Sequence, residues 1–121
     1  MARQRITAQD LYNYTKCQHR VFLDANGDPT EKSEVSSFVK LLWEVGLQTE
    51  RDYISSLGDQ DIVDMQHLAV EPAFQETLLA MEHGVAIIYQ GCLIHENFVG
   101  RPDLLVKRED GASRFGPFFY E

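Results

Sequence analysis

Gly100-Arg101-Pro102-Asp103-Leu104-Leu105-Val106-Lys107 is the stretch on which the fold turns. A Pro-Asp pair opens an apolar run, so a carboxylate sits at the mouth of a strand. Carboxylates fixed on rigid strands suit Mg²⁺ or Mn²⁺, hard ions that prefer oxygen. Taken as one strand from Phe98 to Val106, the segment places Val99, Arg101, Asp103, Leu105 and Lys107 on one face. Leu104 and Leu105 in succession predict cover on both faces, with Asp103 pointing into a partly enclosed place. Pro102 removes a ladder donor and marks an edge or an irregular strand start. The plainer reading is that Gly-Arg-Pro-Asp is turn chemistry and Asp103 closes the turn.

Outward from this stretch the pattern stays β. Val85 to Tyr89 is a continuous apolar run rich in β-branched residues, and Cys92-Leu93-Ile94 follows Gln90-Gly91. Asp110-Gly111 is a turn, and Pro117 to Glu121 begins a further strand. Upstream the period is helical. Thr7 with Asp10 three residues on forms a capping-box-like start for a helix over Ala8 to Lys16. Asn26-Gly27-Asp28-Pro29 is a strong turn. A long helix is predicted from Ser33 or Glu34 to Leu57, with Gly58 as its stop. Residues 59–69, with Asp59, Asp61, Ile62, Val63 and Asp64, read as an acidic loop holding a short strand, and precede a helix that starts at Glu71-Pro72 and ends at Gly84. Helices followed by a strand meander predict an α+β fold, N-terminal helices on a mixed sheet.

Bulk properties narrow the function. At 121 residues the chain is expected to form a single domain, 1–121. A hydrophobic share of 44% and a charged share of 25% are those of a globular protein. No run of about 18 apolar residues suggests a membrane span, and no apolar segment follows the basic N-terminus as in a secretory signal. A cytoplasmic location is the default, and Cys17 and Cys92 are expected as thiols. The net charge of −8 argues against a dedicated nucleic-acid binder. Residues 1–20 alone carry Arg3, Arg5, Lys16 and Arg20 against Asp10, a local excess of positive charge. An acidic enzyme still acts on DNA when metal ions supply the positive charge at the phosphate.

Two carboxylates stand out. Glu50 lies on the helical stripe of Trp43, Gly46, Leu47, Ile54 and Leu57, where burial is costly unless the group is paired or binds metal. Asp103 is the other. Lys107 is a candidate phosphate or water contact, although a strand-end lysine is ordinarily solvated. His19, His67, His83 and His95 show no metal-ligand spacing, and two cysteines cannot hold an iron–sulfur cluster alone.

The order of these pieces resembles the RecB-type nuclease branch of the PD-(D/E)xK superfamily. Ile6 to Asp24, including Cys17, is similar to the N-terminal helix and Cys-containing segment of that branch. Gly46-Leu47-Gln48-Thr49-Glu50 resembles its first active-site helix, and Gly100 to Val106 its Pro-Asp strand. The resemblance implies a restriction-endonuclease-like α/β sandwich core, here incomplete, and metal-dependent hydrolysis of DNA phosphodiesters, exonuclease-type, on single strands or ends. It implies Glu50 and Asp103 as catalytic residues and ligands of Mg²⁺ or Mn²⁺. It implies Cys17 as an iron–sulfur ligand only in a longer form, the cluster not being expected in this chain. Glu50 departs from the His often found at its position, and Gln18 stands where Pro is common. The (D/E)-x-K strand would follow Glu121, so this chain alone is expected to be inactive. It is also expected to expose a strand edge to a second copy of itself. The competing reading is a non-catalytic α+β module that binds nucleic acid or protein.

Overall fold

The computed structural model describes residues 4–58 and 60–121; the basic Met1-Ala2-Arg3 start and Asp59 lie outside the described residues. The fold is α+β, as the sequence predicts. The chain divides into two compact units: Met1–Tyr12 with Gln60–Glu121, and Asn13–Asp59. Strand β1 (Ile6–Thr7) leads directly into helix α1 (Ala8–Lys16), whose residues divide between the two units.

The predicted cap of α1 forms. The Thr7 backbone N–H and hydroxyl both donate to Asp10 Oδ2 at 2.9 Å. The Asp10 N–H donates back to the Thr7 hydroxyl at 3.2 Å. The reciprocal pattern satisfies donors that the first helical turn leaves open.

The second unit is helical. It holds α2 (Gln18–Asn26), a 3-10 turn at Pro29–Glu31 and the long α3 (Ser37–Ser56). Helix α2 lies where the sequence analysis places no element of its own. Helix α3 begins later than predicted. Ser36 takes the N-cap, its hydroxyl accepting the Val39 N–H at 3.2 Å. A capping hydroxyl decides the start more sharply than hydrophobic spacing does. Neither α2 nor α3 contains a buried residue.

The first unit contains two sheets. One is three-stranded in the order β1-β5-β4, from β1, β4 (Leu93–His95) and β5 (Phe98–Gly100). The other is four-stranded and mixed: β2 (Ile62–Asp64), β3 (Ile87–Tyr89), β6 (Leu104–Arg108) and β7 (Phe119–Tyr120), in the order β2-β3-β6-β7. Strands β2 and β3 run parallel; the other pairs in that sheet are antiparallel.

Helix α4 (Val70–Glu82) serves both sheets. Ala80 and Met81 pack with Met65, Ile88 and Leu105 of the four-stranded side. Ala73 packs with Cys92 and Val99 on the other. Small residues on α4 allow this double approach. The helix ends as predicted at Gly84, whose φ is +69°. Gly84 N–H bonds the Met81 carbonyl and Val85 N–H the Ala80 carbonyl, the Schellman arrangement that glycine permits.

The run from Phe98 to Val106 is not one strand. It breaks at Arg101-Pro102-Asp103, and its halves join different sheets. The shared face predicted for Val99 and Asp103 therefore does not exist. Ile88 is fully buried at the centre of the four-stranded side. Ile88→Ala is expected to lower stability by about 3 kcal/mol in urea unfolding, through lost transfer energy and the cavity left behind.

Candidate functional site

The junction between the sheets is built on Arg101. Its Nη1 donates to the Leu68 carbonyl at 2.9 Å. Its Nη2 donates to the Met65 carbonyl at 2.8 Å and the Gln90 carbonyl at 2.9 Å. Met65 and Leu68 lie between β2 and α4; Gln90 ends β3. One planar guanidinium thus ties two loops to the strand break, a fork geometry that lysine cannot reproduce. Arg101 Nε is buried and has no hydrogen-bond partner among the described residues.

Asp103 follows two residues later. The Gln90 N–H donates to the Asp103 carbonyl, and Gln90 Nε2 to Asp103 Oδ1, both at 3.0 Å. The residue is exposed, which corrects the expectation of an enclosed carboxylate. The reason is the strand break: only Leu105 is buried, while Leu104 is half-covered, so the double cover inferred from two leucines does not extend to the strand mouth. Pro102 occupies the break, where its missing N–H removes no ladder bond.

Asp103 stands at one end of the four-stranded sheet. Asp64, Tyr89 and Leu104 form one row across β2, β3 and β6, and Asp103 is one residue beyond it. Asp64 is exposed at the same end, its Oδ1 accepting the Gln66 N–H at 2.8 Å. Among the described residues, no three Asp, Glu, His or Cys side chains gather where they could hold a metal ion. Asp103 presents a single exposed carboxylate, its Oδ1 already accepting from Gln90 Nε2. Mg²⁺ commonly uses one or two carboxylates, with water and substrate phosphate completing its shell.

Glu50 lies on α3, half-buried, in the helical unit, whereas Asp103 belongs to the sheet unit. The stripe around Glu50 exists on α3, but Trp43 and Leu47 of that stripe are exposed. Cys17, the N-cap of α2, is a free exposed thiol. It lines a cavity of about 650 Å³ in the helical unit with His19, Arg20, Asp24, Glu31 and Lys32. Within that wall Asp24 pairs with Lys32 at 3.0 Å and Arg20 at 3.7 Å. The Lys32 hydrogen bond, foremost, holds the Asp24 carboxyl below its usual range.

Cys92 is buried in the sheet unit, and burial pushes its thiol up despite nearby Arg101 and Arg5. Its N–H is taken by the Thr77 hydroxyl at 3.0 Å. Lys107 is turned to a structural use. Its Nζ donates to the Gly84 carbonyl at 3.0 Å, pairs with Glu109 at 3.4 Å and lies 5.5 Å from the Phe118 ring. Those contacts tie it to the turn after α4.

Comparison with protein-family models, with curated proteins and with solved structures finds no match for this chain. No helix among the described residues is long and apolar enough to cross a membrane.

Arg101 and Gln90 were the residues that sequence reading passed over. The available signal was a long cation immediately before Pro102 at a point where two apolar strands meet. Arg101→Met is expected to lower stability by about 2–4 kcal/mol in urea unfolding, because three part-buried carbonyls lose charge-assisted partners. Arg101→Lys is expected to restore less than half of that loss. Full restoration by lysine would mean that charge alone, not the fork, holds the junction.

Proposed function

We propose that this chain carries part of a divalent-metal-dependent nuclease site of the PD-(D/E)xK kind. The substrate class is DNA phosphodiesters, on single strands or ends, and the action exonuclease-type. A bound Mg²⁺ or Mn²⁺ supplies Lewis acidity toward the phosphodiester and an activated water. Asp103 is the carboxylate that faces the ion. The 121-residue chain contains no Asp or Glu two residues before a lysine, so the pair that defines the family is not within it.

The observation that carries this reading is the direction of β7. Val106 and Glu121 exchange both backbone hydrogen bonds, at 2.9 and 3.1 Å, so β7 runs toward the Asp103 end of β6. Asp103 lies three residues before Val106. Where the chain continues in the same register, the third residue past Glu121 stands directly opposite Asp103. Directly opposed residues have Cβ atoms about 5 Å apart on one sheet face. A carboxylate there, with a lysine two residues later, would complete the family's constellation beside Asp103.

A binding module without catalysis is the second reading. It draws on α3, where Phe38, Leu41, Leu42, Trp43 and Val45 are each more than half exposed. Such apolar density on one helix is characteristic of partner surfaces.

Cleavage of labelled single-stranded DNA separates the two. The 121-residue chain with Mn²⁺ is expected to cut nothing. A form extended past Glu121 by a strand bearing the carboxylate and lysine is expected to cut, with at least a hundredfold loss on Asp103→Ala. Metal-dependent cutting by the short chain would overturn the inactivity. An extended form that binds DNA without cutting it would favour the binding module.

A further inference from the structure

We propose that α3 pairs, antiparallel, with the α3 of a second copy of this chain through Phe38, Leu41, Leu42 and Val45. The proposal rests on the reading of α3 as a partner surface and names the partner.

The four residues recur at steps of three, one and three, so they form one stripe on the helix. Each is 53–68% exposed. The half-buried Val39, Glu50 and Ile54 lie on a different side of α3, so the chain's own contacts leave the stripe open. A helix in a protein takes most of its stability from packing of its apolar face. Helix α3 is 20 residues long and contains no buried residue.

The area suits a second copy. Four apolar side chains of about 150–200 Å² each, a little more than half exposed, present on the order of 400 Å². A standard interface takes about 800 Å² from each partner, somewhat over half of it apolar. The stripe supplies most of that apolar share on one side. A twofold axis supplies the same again from the other copy, because the patch then meets itself.

Charge decides the direction. The stripe is apolar only in the first half of α3. Further along, the same side carries Thr49 and Asp52, whose carboxylate accepts from Gln48 Nε2 at 2.8 Å. Parallel pairing would set Asp52 against its own copy, and like charges brought together at an interface oppose it. Antiparallel pairing about an axis between Leu41 and Leu42 avoids this. Phe38 then faces the partner subunit's Val45, a large ring against a small side chain, and Leu41 faces the partner subunit's Leu42. Each Asp52 falls beyond the start of the facing helix, which begins at Ser37. Lys40, Glu44 and Arg51 lie on the far side, in water.

Sedimentation equilibrium of the 121-residue chain tests the pairing, with helix content followed by circular dichroism. The wild type is expected to be a dimer at high micromolar concentration and to dissociate on dilution. Leu42→Glu is expected to weaken the dimer about a hundredfold with helix content unchanged, since Leu42 is exposed in the single chain. Trp43→Ser, an exposed position off the stripe, is expected to leave the dimer intact. A nitroxide on Ser55→Cys, in a Cys17→Ser background, reads the direction. Antiparallel helices put the two labels about 40 Å apart, and parallel ones about 20 Å. The shorter distance would overturn the arrangement. Loss of the dimer in Trp43→Ser, with Leu42→Glu still paired, would move the contact to another side of α3 and overturn it too. A wild-type chain that stays monomeric at every concentration would overturn the second copy. Uptake of that monomer by phosphatidylcholine vesicles, abolished by Leu42→Glu, would keep α3 as a contact surface with lipid as its occupant. A dimer indifferent to both Leu42→Glu and Trp43→Ser would overturn the pairing and the partner-surface reading together, because α3 would stay open in the assembled protein.

Discussion

The sheet unit depends on one guanidinium. Between Gly100 and Leu104 the chain leaves a three-stranded sheet and enters a four-stranded one, and such a passage leaves loop carbonyls without ladder partners. Arg101 meets three of them at 2.8–2.9 Å, drawn from positions 11 to 36 residues away in sequence. Buried carbonyls are expensive unless paired, and hydrogen bonds from a charged donor are among the stronger ones. The guanidinium therefore fixes the β2–α4 loop, the end of β3 and the strand break as one body. Asp103 inherits its position from that body rather than from a strand of its own.

The packing around this junction is consistent with it. Helix α4 brings Ala73 to one sheet and Ala80 to the other, and Thr77 between them caps the Cys92 N–H. At the far end of the sheet Tyr120 donates its hydroxyl to the Val85 carbonyl at 2.6 Å, and burial raises its pKa, with Asp61 adding to the shift. A raised pKa means that this contribution is complete below the ordinary tyrosine range and is lost as pH climbs through the folded value. An ion pair between Arg5 and Glu71 ties the segment before β1 to the start of α4. In the helical unit α2 and α3 contain no fully buried residue; α3 is capped by Ser36, and Asp24 of α2 makes ion pairs at the surface. Exposed pairs contribute little.

What the sequence made legible was mostly local. The Thr7–Asp10 cap, the stop at Gly84, a short strand within the acidic segment after α3 and the α+β class follow from neighbouring residues, and they stand. What escaped was decided at long range. The run from Phe98 to Val106 reads as continuous because its apolar spacing is continuous; its break is set by carbonyls that Arg101 finds some 30 residues upstream. Helix α2 hid because Val21, Phe22 and Leu23 are consecutive, so no periodic stripe announced it. Asp103 was legible as a strand-mouth carboxylate. Its partner Gln90 was not, because a left-handed glutamine leaves no mark in composition or spacing. Glu50 was legible as a carboxylate among apolar residues, but that pattern does not say which unit it serves.

The proposed function has a divalent cation meeting this chain at Asp103, beside the hydrogen bonds that Gln90 makes to Asp103 and Arg101. Paramagnetic broadening of backbone amide signals by substoichiometric Mn²⁺, in a ¹⁵N-labelled chain, locates the ion directly. The account predicts that the amides of Gln90, Asp103 and Leu104 broaden first and most. Broadening centred within residues 13–58, with those three signals left sharp, would contradict it.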